Sequence, residues 1–207
     1  MSRTYGAIPT RVLGVNFRSR LEAKWACVFQ LMGWAWSYEP IDLAAHKIPD
    51  FVVHFRHPII IECKPAMTIR EIDVYRAILH RAAQPWILED LTRRLATADA
   101  YDEEIVATDA LLADVDRVEA GDHPRDGRRA LVAGSQLFID DTLNACSIDG
   151  RHYFTECEGD RAGLVDVSDG HEVCLACGDV APKLMRSSDV LRRWRDATNK
   201  SQWRPVT

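Results

Sequence analysis

Two acidic residues and a lysine flank a pair of short apolar runs near the middle of the first half of the chain. Pro49-Asp50 precedes one run, and Glu62-Cys63-Lys64 closes the next. Glu62 and Lys64 are two positions apart, so both side chains point to the same face if this segment is a strand. Carboxylates are preferred ligands of Mg²⁺ and Mn²⁺, and a lysine beside them can stabilise charge on a phosphate. These residue types favour metal-assisted hydrolysis of a phosphodiester.

The two apolar runs, residues 51–55 and 58–63, predict a hairpin with a tight Arg-His connection. Such a hairpin brings the start of one strand beside the end of the next, so Asp50 and Glu62 are expected to converge. The second run has three consecutive isoleucines without polar alternation. That pattern is typical of a central strand covered on both faces.

A helix is predicted just upstream, over residues 18–33, because apolar residues recur there at three- and four-residue spacing and a glycine follows as a stop. Glu22 on this helix is the third candidate metal ligand. Its neighbours Arg18, Arg20 and Lys24 are candidate phosphate contacts. The alternative for these four residues is an ordinary solvated helix face.

The pattern resembles the PD-(D/E)XK nuclease superfamily over about residues 11–84. Asp50 matches the acidic residue of its PD motif, and Glu62 and Lys64 match its (D/E)XK motif. Glu22 matches a helical glutamate that many members carry ahead of the core sheet. The helix and the strand after it are similar to those of small phage-encoded members.

The resemblance implies an α/β fold of the restriction-endonuclease type, with a central mixed sheet of about four strands flanked by helices. It also implies cleavage of nucleic acid that depends on Mg²⁺ or Mn²⁺. Our leading hypothesis is a DNA nuclease, endonucleolytic in mode, that processes phage or mobile-element DNA; an RNA substrate and an exonucleolytic mode stay open. A second copy of the chain, or a phage or transposition protein, is the expected protein partner. Two alternatives stay open: an end-cleaving subunit of a transposase, and a non-catalytic zinc adaptor that binds nucleic acid on a nuclease-like core.

A cysteine cluster in the second half of the chain predicts a zinc site. Cys174 and Cys177 form a C-x-x-C turn followed by glycine, and Cys157 lies upstream. Four thiolates suit a tetrahedral, structural zinc ion, which leaves no open position for catalysis. Cys146 is the predicted fourth ligand, with His152 or His171 as substitutes. Free thiols and an iron–sulfur cluster are the other interpretations.

The composition allows one domain with an insertion. The chain has 207 residues, 47% of them hydrophobic, and a formal net charge of -5, which excludes a generally basic nucleic-acid coat. We expect a nuclease core over residues 1–140 with a helical insertion over about 85–126. A Cys-rich, zinc-ribbon-like module with little core-forming character follows over 141–182, and a C-terminal helix over 183–207 packs on the core. Further helices are predicted over 68–83, 86–98, 102–118 and 188–198, and strand structure over 129–139.

The N-terminal segment lacks an apolar core typical of a signal peptide, and no apolar run approaches the roughly 20 residues of a membrane span. We therefore expect a cytoplasmic protein without a membrane partner, in the host cytoplasm if the chain is phage-encoded. Six cysteines in a reducing compartment indicate thiols or metal ligands rather than disulfides.

Overall fold

The part of the chain that the structure describes contains two four-stranded sheets, a two-stranded hairpin and several helices, so the protein is of the mixed α/β class. A computed structural model describes most of the chain. The described residues are 7–43, 47–98, 113, 115–120, 129–141, 145–149, 151–157, 162–166, 174–178 and 182–202. Most of the predicted helix over 102–118 lies outside them.

The first sheet is mixed, as expected from the sequence. Its strand order is β3-β4-β5-β6, with antiparallel pairing except between β5 and β6, which are parallel. The connection between the parallel pair contains a long helix, α2 (Ile69–Ala98), as is usual for a parallel crossover. The strands are β3 (Trp36–Tyr38), β4 (Phe51–Val53), β5 (Ile59–Cys63) and β6 (Ala130–Ala133).

Both faces of this sheet are covered, which explains the absence of polar alternation. Ile59 and Ile61 pack into the hydrophobic cluster that contains helix α1 (Arg20–Leu31), whereas Ile60 packs into the cluster that contains α2. All three isoleucines are fully buried. The prediction of a central, doubly covered strand is confirmed.

Helix α1 (Arg20–Leu31) agrees with the prediction to within two residues at each end. Ser19 is its N-cap, because its hydroxyl accepts a hydrogen bond from the Glu22 amide at 3.2 Å. Gly33, with φ +73°, follows the helix in a left-handed conformation that favours glycine. Before α1, a two-residue turn joins β1 (Thr10–Val12) to β2 (Val15–Phe17) in a hairpin that the sequence analysis did not predict.

Helix α2 (Ile69–Ala98) is one continuous helix of 30 residues. The prediction of two helices, separated before Pro85, is wrong. Leu79 and Ala83 before the proline and Ile87 after it are all buried in one cluster against the first sheet. Burial of these residues on both sides of the proline offsets the stability lost with the hydrogen bond that the proline cannot donate.

The second sheet is antiparallel, with strand order β10-β9-β8-β7, and it contains the Cys-rich segment. Its residues Phe154 and Leu164 are fully buried in the same cluster as α1, and Trp34 donates from Nε1 to the Ala162 carbonyl at 2.7 Å. The expectation of little core-forming character in this segment is therefore wrong. The strands are β7 (Phe138–Asp140), β8 (Ala145–Ser147), β9 (His152–Glu156) and β10 (Ala162–Asp166).

The C-terminal helix predicted over 188–198 is present as α3 (Ser187–Lys200). It packs on α1, where Trp194 meets Trp25 edge-to-face with ring centroids 4.9 Å apart. In the described part of the chain, no helix has both the length and the apolar character needed to cross a membrane.

Candidate functional site

The structure brings Asp50 and Glu62 to one end of the first sheet. Asp50 lies just before β4, and the antiparallel register pairs Phe51 with Ile61 on β5. The Cys63 amide donates to Asp50 Oδ2 at 2.6 Å. The side chain of Asp50 thus reaches across to the end of β5, where Glu62 lies, as the hairpin spacing indicated.

Glu62 carries a buried oxygen that lacks a hydrogen bond. The residue is 4% exposed, and its Oε1 is bound by Lys64 Nζ at 2.5 Å and Lys47 Nζ at 3.2 Å. Its other oxygen, Oε2, has no hydrogen-bond partner among the described residues. A buried carboxylate oxygen in that position is costly unless a donor or a cation satisfies it. A divalent cation fits this requirement.

Arg18 lies over the same end of the sheet with an exposed guanidinium. Its Nη2 is 2.7 Å from Asp50 Oδ1, and its Nε is 2.7 Å from Glu39 Oε1. Arg18 therefore neutralises Asp50 Oδ1, an oxygen that a metal ion would bind. If Nη2 of Arg18 turned from this oxygen to a phosphate, its Nε would still pair with Glu39.

Glu22 is buried beside this group rather than on a solvated helix face. Its Oε2 accepts from the Tyr38 hydroxyl at 2.5 Å and the Arg18 amide at 3.1 Å, and its Oε1 accepts from the Ser19 hydroxyl at 2.7 Å. Glu22 is also the third residue after the N-cap, the position of a capping-box glutamate. It thus has a structural role in α1 besides its predicted role toward a metal ion.

The charges of these groups act on one another. Burial, and next the charge of Glu62, raises the pKa of Asp50 from 3.8 to about 6. Burial alone would lower the pKa of Lys64, but its hydrogen bond and ion pair with Glu62 raise it. Lys64 is therefore a cation at neutral pH, suited to stabilising negative charge rather than accepting a proton.

Asp50→Asn is expected to stabilise the folded protein at about pH 8 by about 1–3 kcal/mol when no divalent cation is added. The folded protein binds the Asp50 proton more tightly than the unfolded chain does, so ionisation costs folding free energy. This cost sets in as the pH rises above 3.8 and is complete above about 6. Urea unfolding at about pH 8 and about pH 4.5 measures it, and the gain should shrink at the lower pH. An Asn variant that is less stable at both pH values would contradict this account.

Two of the predicted phosphate contacts lie elsewhere. Lys24 Nζ is 3.4 Å from the ring centroid of Trp194, and burial lowers its pKa to about 8. Its ammonium group serves the contact between α1 and α3, because a cation over an indole face is attracted by the ring. Arg20 is exposed at the first position of α1. Arg18 alone of the three contacts a predicted metal-ligating carboxylate.

Two residues of this site were missed by the sequence analysis. Tyr38 at the end of β3 holds Glu22, and Lys47 binds the same oxygen of Glu62 as Lys64 does. Lys47 lies three positions before Asp50, so its position beside the motif was a usable signal. The Tyr38 contact depends on the register between β3 and β4, which the sequence pattern does not specify.

The cysteine cluster forms a second site. Among the described residues, the thiols of Cys157, Cys174 and Cys177 are the one group of metal-ligating side chains whose ligand atoms all lie within 4.8 Å of one another. The three carboxylates Glu22, Asp50 and Glu62 are not that close as a set. The Cys157 sulfur is 3.5 Å from each of the other two sulfurs. A zinc ion with Zn–S bonds of about 2.3 Å places its sulfurs about 3.8 Å apart, so this group could bind a metal such as zinc.

The thiols of Cys174 and Cys157 pack closely against the backbone of Gly163. A Cβ at this position would lie 2.4 Å from the Cys174 sulfur and 2.8 Å from the Cys157 sulfur, so only glycine leaves room for both. Burial raises the pKa of the Cys174 thiol, but hydrogen bonds from Thr155 and from two backbone amides outweigh it, and the net pKa is lowered. A thiol that ionises readily is suited to metal binding.

The prediction of Cys146 as the fourth ligand needs correction. It is fully buried in β8, inside the hydrophobic cluster, and its sulfur faces the Ser187 carbonyl at 4.0 Å. The substitute His152 is also fully buried, with Nδ1 3.1 Å from Asp149. Neither belongs to the thiol group, because Cys146 packs in the hydrophobic cluster with α1 and the His152 ring is held by Asp149. The other substitute, His171, lies outside the described residues.

Comparison with protein-family models, with curated proteins and with solved structures finds no match for this chain. The structure itself defines a mixed α/β protein with two four-stranded sheets. A cluster of carboxylates and a lysine lies at the end of the first sheet, and a three-cysteine group lies at the second.

Proposed function

We propose that this protein is a metal-dependent nuclease that hydrolyses phosphodiester bonds in DNA endonucleolytically. The observation that carries the proposal is the buried Glu62 carboxylate, with one oxygen on Lys64 and the other without a described partner, beside Asp50. The mixed sheet with α1 on one face and α2 on the other fits a restriction-endonuclease-like core.

Asp50 and Glu62 would hold Mg²⁺ or Mn²⁺, with Glu22 as a nearby third carboxylate. The ion supplies Lewis acidity toward a phosphate oxygen and lowers the pKa of a water molecule. Asp50 is oriented for this by the Cys63 amide, and Glu22 by the Tyr38 hydroxyl. Both carboxylates are therefore held by donors that do not titrate at neutral pH.

Lys64 and Arg18 are the two cations that meet the phosphate. Each now lies against a carboxylate oxygen, at 2.5 Å from Glu62 and 2.7 Å from Asp50. Both side chains are partly exposed, so each could turn from its carboxylate to the scissile phosphate if Asp50 and Glu62 held a divalent cation. Lys64 then stabilises the charge that develops during hydrolysis.

The thiol group is proposed to hold a structural zinc ion that fixes the second sheet. Cys157 and the turn that carries Cys174 and Cys177 are two separate segments, and one ion would hold them together. The fit of the sulfurs around Gly163 supports this assignment.

The function is tested by incubating the protein with linear duplex, single-stranded and branched DNA and with RNA, each with and without Mg²⁺ or Mn²⁺. Metal-dependent cuts within DNA are expected. Binding without cleavage under every condition would favour the non-catalytic adaptor, and cuts confined to DNA ends would favour the transposase-type subunit.

Lys64→Ala is expected to slow cleavage at saturating metal by about 100-fold or more, because it removes charge from the reacting phosphate. Metal affinity should change less, since lysine is not a ligand. Single-turnover rates across a Mg²⁺ titration separate these two effects. A shifted metal midpoint with an unchanged maximal rate would contradict this role.

A further inference from the structure

A cavity of about 540 Å³ lies at the opposite end of the first sheet from the carboxylates. It is lined both by the turn between β4 and β5 and by the thiol group. His54, Phe55 and Arg56 line it from the turn, and Cys157 and Cys177 line it from the second sheet. The proposed metal-dependent chemistry does not use this cavity.

The described lining of the cavity has basic side chains and no acidic one, in a chain whose formal net charge is -5. Arg56 is exposed, and the exposed His54 ring is held by the Ser37 hydroxyl at 2.8 Å. A zinc ion bound by the three cysteines would cancel two of the three thiolate charges on the facing wall. The cavity therefore suits an anion that a guanidinium can bind through paired hydrogen bonds.

The thiol-bearing turn positions Arg56. Gly178, directly after Cys177, has φ +85°, and a Cβ there would lie 2.5 Å from Arg56 Nη1. The guanidinium therefore lies against the backbone of the turn, in the space beside Gly178. Folding of that turn around a metal ion would fix the position of this cation.

We propose that the cavity binds one nucleotide of the nucleic-acid strand, with its phosphate on Arg56 and His54 and its base against Phe55. This inference rests on the proposed function. The cavity volume admits a nucleoside as well as a phosphate, and an aromatic side chain on its wall offers a face or edge to a base. Arg56 thus becomes a substrate contact that lies outside the predicted motif.

The distance to the carboxylates suits a contact away from the cleaved bond. His54 lies four residues after Asp50, and at about 3.3 Å per residue in a strand this separates them by about 13 Å. That span equals about four base steps of duplex. The cavity therefore would bind a part of the substrate strand that is not cut.

The test uses zinc-loaded full-length protein carrying Glu62→Gln, so that DNA is bound without being cut. Binding of a labelled oligonucleotide is followed by fluorescence anisotropy between about 50 and 200 mM salt. Adding Arg56→Ala should weaken binding about tenfold and reduce the slope of log K against log salt by about one. Arg56→Lys should restore the slope but not the full affinity. Arg192→Ala, which removes an exposed arginine from α3, is the matched control and should change neither quantity.

Unchanged affinity and slope in Arg56→Ala would overturn the inference. So would a free nucleoside monophosphate that binds as tightly as the oligonucleotide. The proposed function is judged separately by cleavage in the protein with Glu62 intact. Cleavage with no effect of Arg56 on binding overturns the cavity alone. Arg56-dependent binding without cleavage supports the cavity and overturns the nuclease proposal.

Discussion

Glu62→Gln is expected to reduce metal-dependent DNA cleavage by about 1,000-fold or more, to the level of the protein without added metal. Glutamine keeps the size of the side chain and one oxygen, but it removes the charge that a divalent cation requires. It also replaces the buried oxygen that has no described partner with an amide or a neutral carbonyl. Single-turnover cleavage of a duplex at saturating Mg²⁺ measures the loss.

Two further variants make this result interpretable. Glu89→Gln changes an exposed glutamate on α2 and should cleave as the unmodified protein does. In Glu22→Gln the one remaining oxygen can accept from the Tyr38 hydroxyl and the amide can donate to the Ser19 hydroxyl oxygen, so the variant should preserve the start of α1 and still lower the rate. A Glu62→Gln protein that cleaves at the rate of the Glu89→Gln control would contradict the assignment of this carboxylate.

Cys174→Ser is expected to destabilise the protein by more than about 3 kcal/mol and to abolish zinc binding. Cys174 is buried, and its sulfur lies against Gly163 between Cys157 and Thr155. The strands around it share one hydrophobic cluster with α1. Loss of the metal should therefore lower the melting temperature of the whole chain, in one transition.

Elemental analysis and thermal unfolding check this result together. The unmodified protein should contain about one zinc per chain, and Cys174→Ser should contain none. Cys146→Ala is the matched control, because this buried thiol lies outside the group and should leave the zinc content unchanged. Iron with a visible charge-transfer band in the unmodified protein would contradict the zinc assignment, and zinc lost in Cys146→Ala would restore that residue as a ligand.

Local pattern predicted the elements that carry the carboxylates. The spacing of apolar residues placed α1, and the isoleucine run placed β5, because each pattern reports directly which faces are buried. The convergence of Asp50 and Glu62 followed from hairpin length alone, without knowledge of the rest of the fold.

Long-range packing decided what the sequence pattern could not predict. Pro85 predicted the end of a helix because proline cannot donate a backbone hydrogen bond, but burial of α2 against the sheet keeps the helix continuous. Cys146 is of a residue type that binds zinc and lies near the other cysteines in sequence, but it packs in the hydrophobic cluster with α1 instead. Lys24 was predicted to contact phosphate because it lies near Glu22 on the helix, but it contacts Trp194 of α3 instead.

Binding of Mn²⁺ to zinc-loaded protein, followed by the electron paramagnetic resonance signal of the free ion, tests most directly whether Asp50 and Glu62 form a metal site. This readout does not depend on finding the right substrate. We predict saturable binding in the unmodified protein and an affinity at least about tenfold lower in Glu62→Gln, with Glu89→Gln unchanged. Absence of Mn²⁺ binding, or equal affinity in all three proteins, would contradict the account.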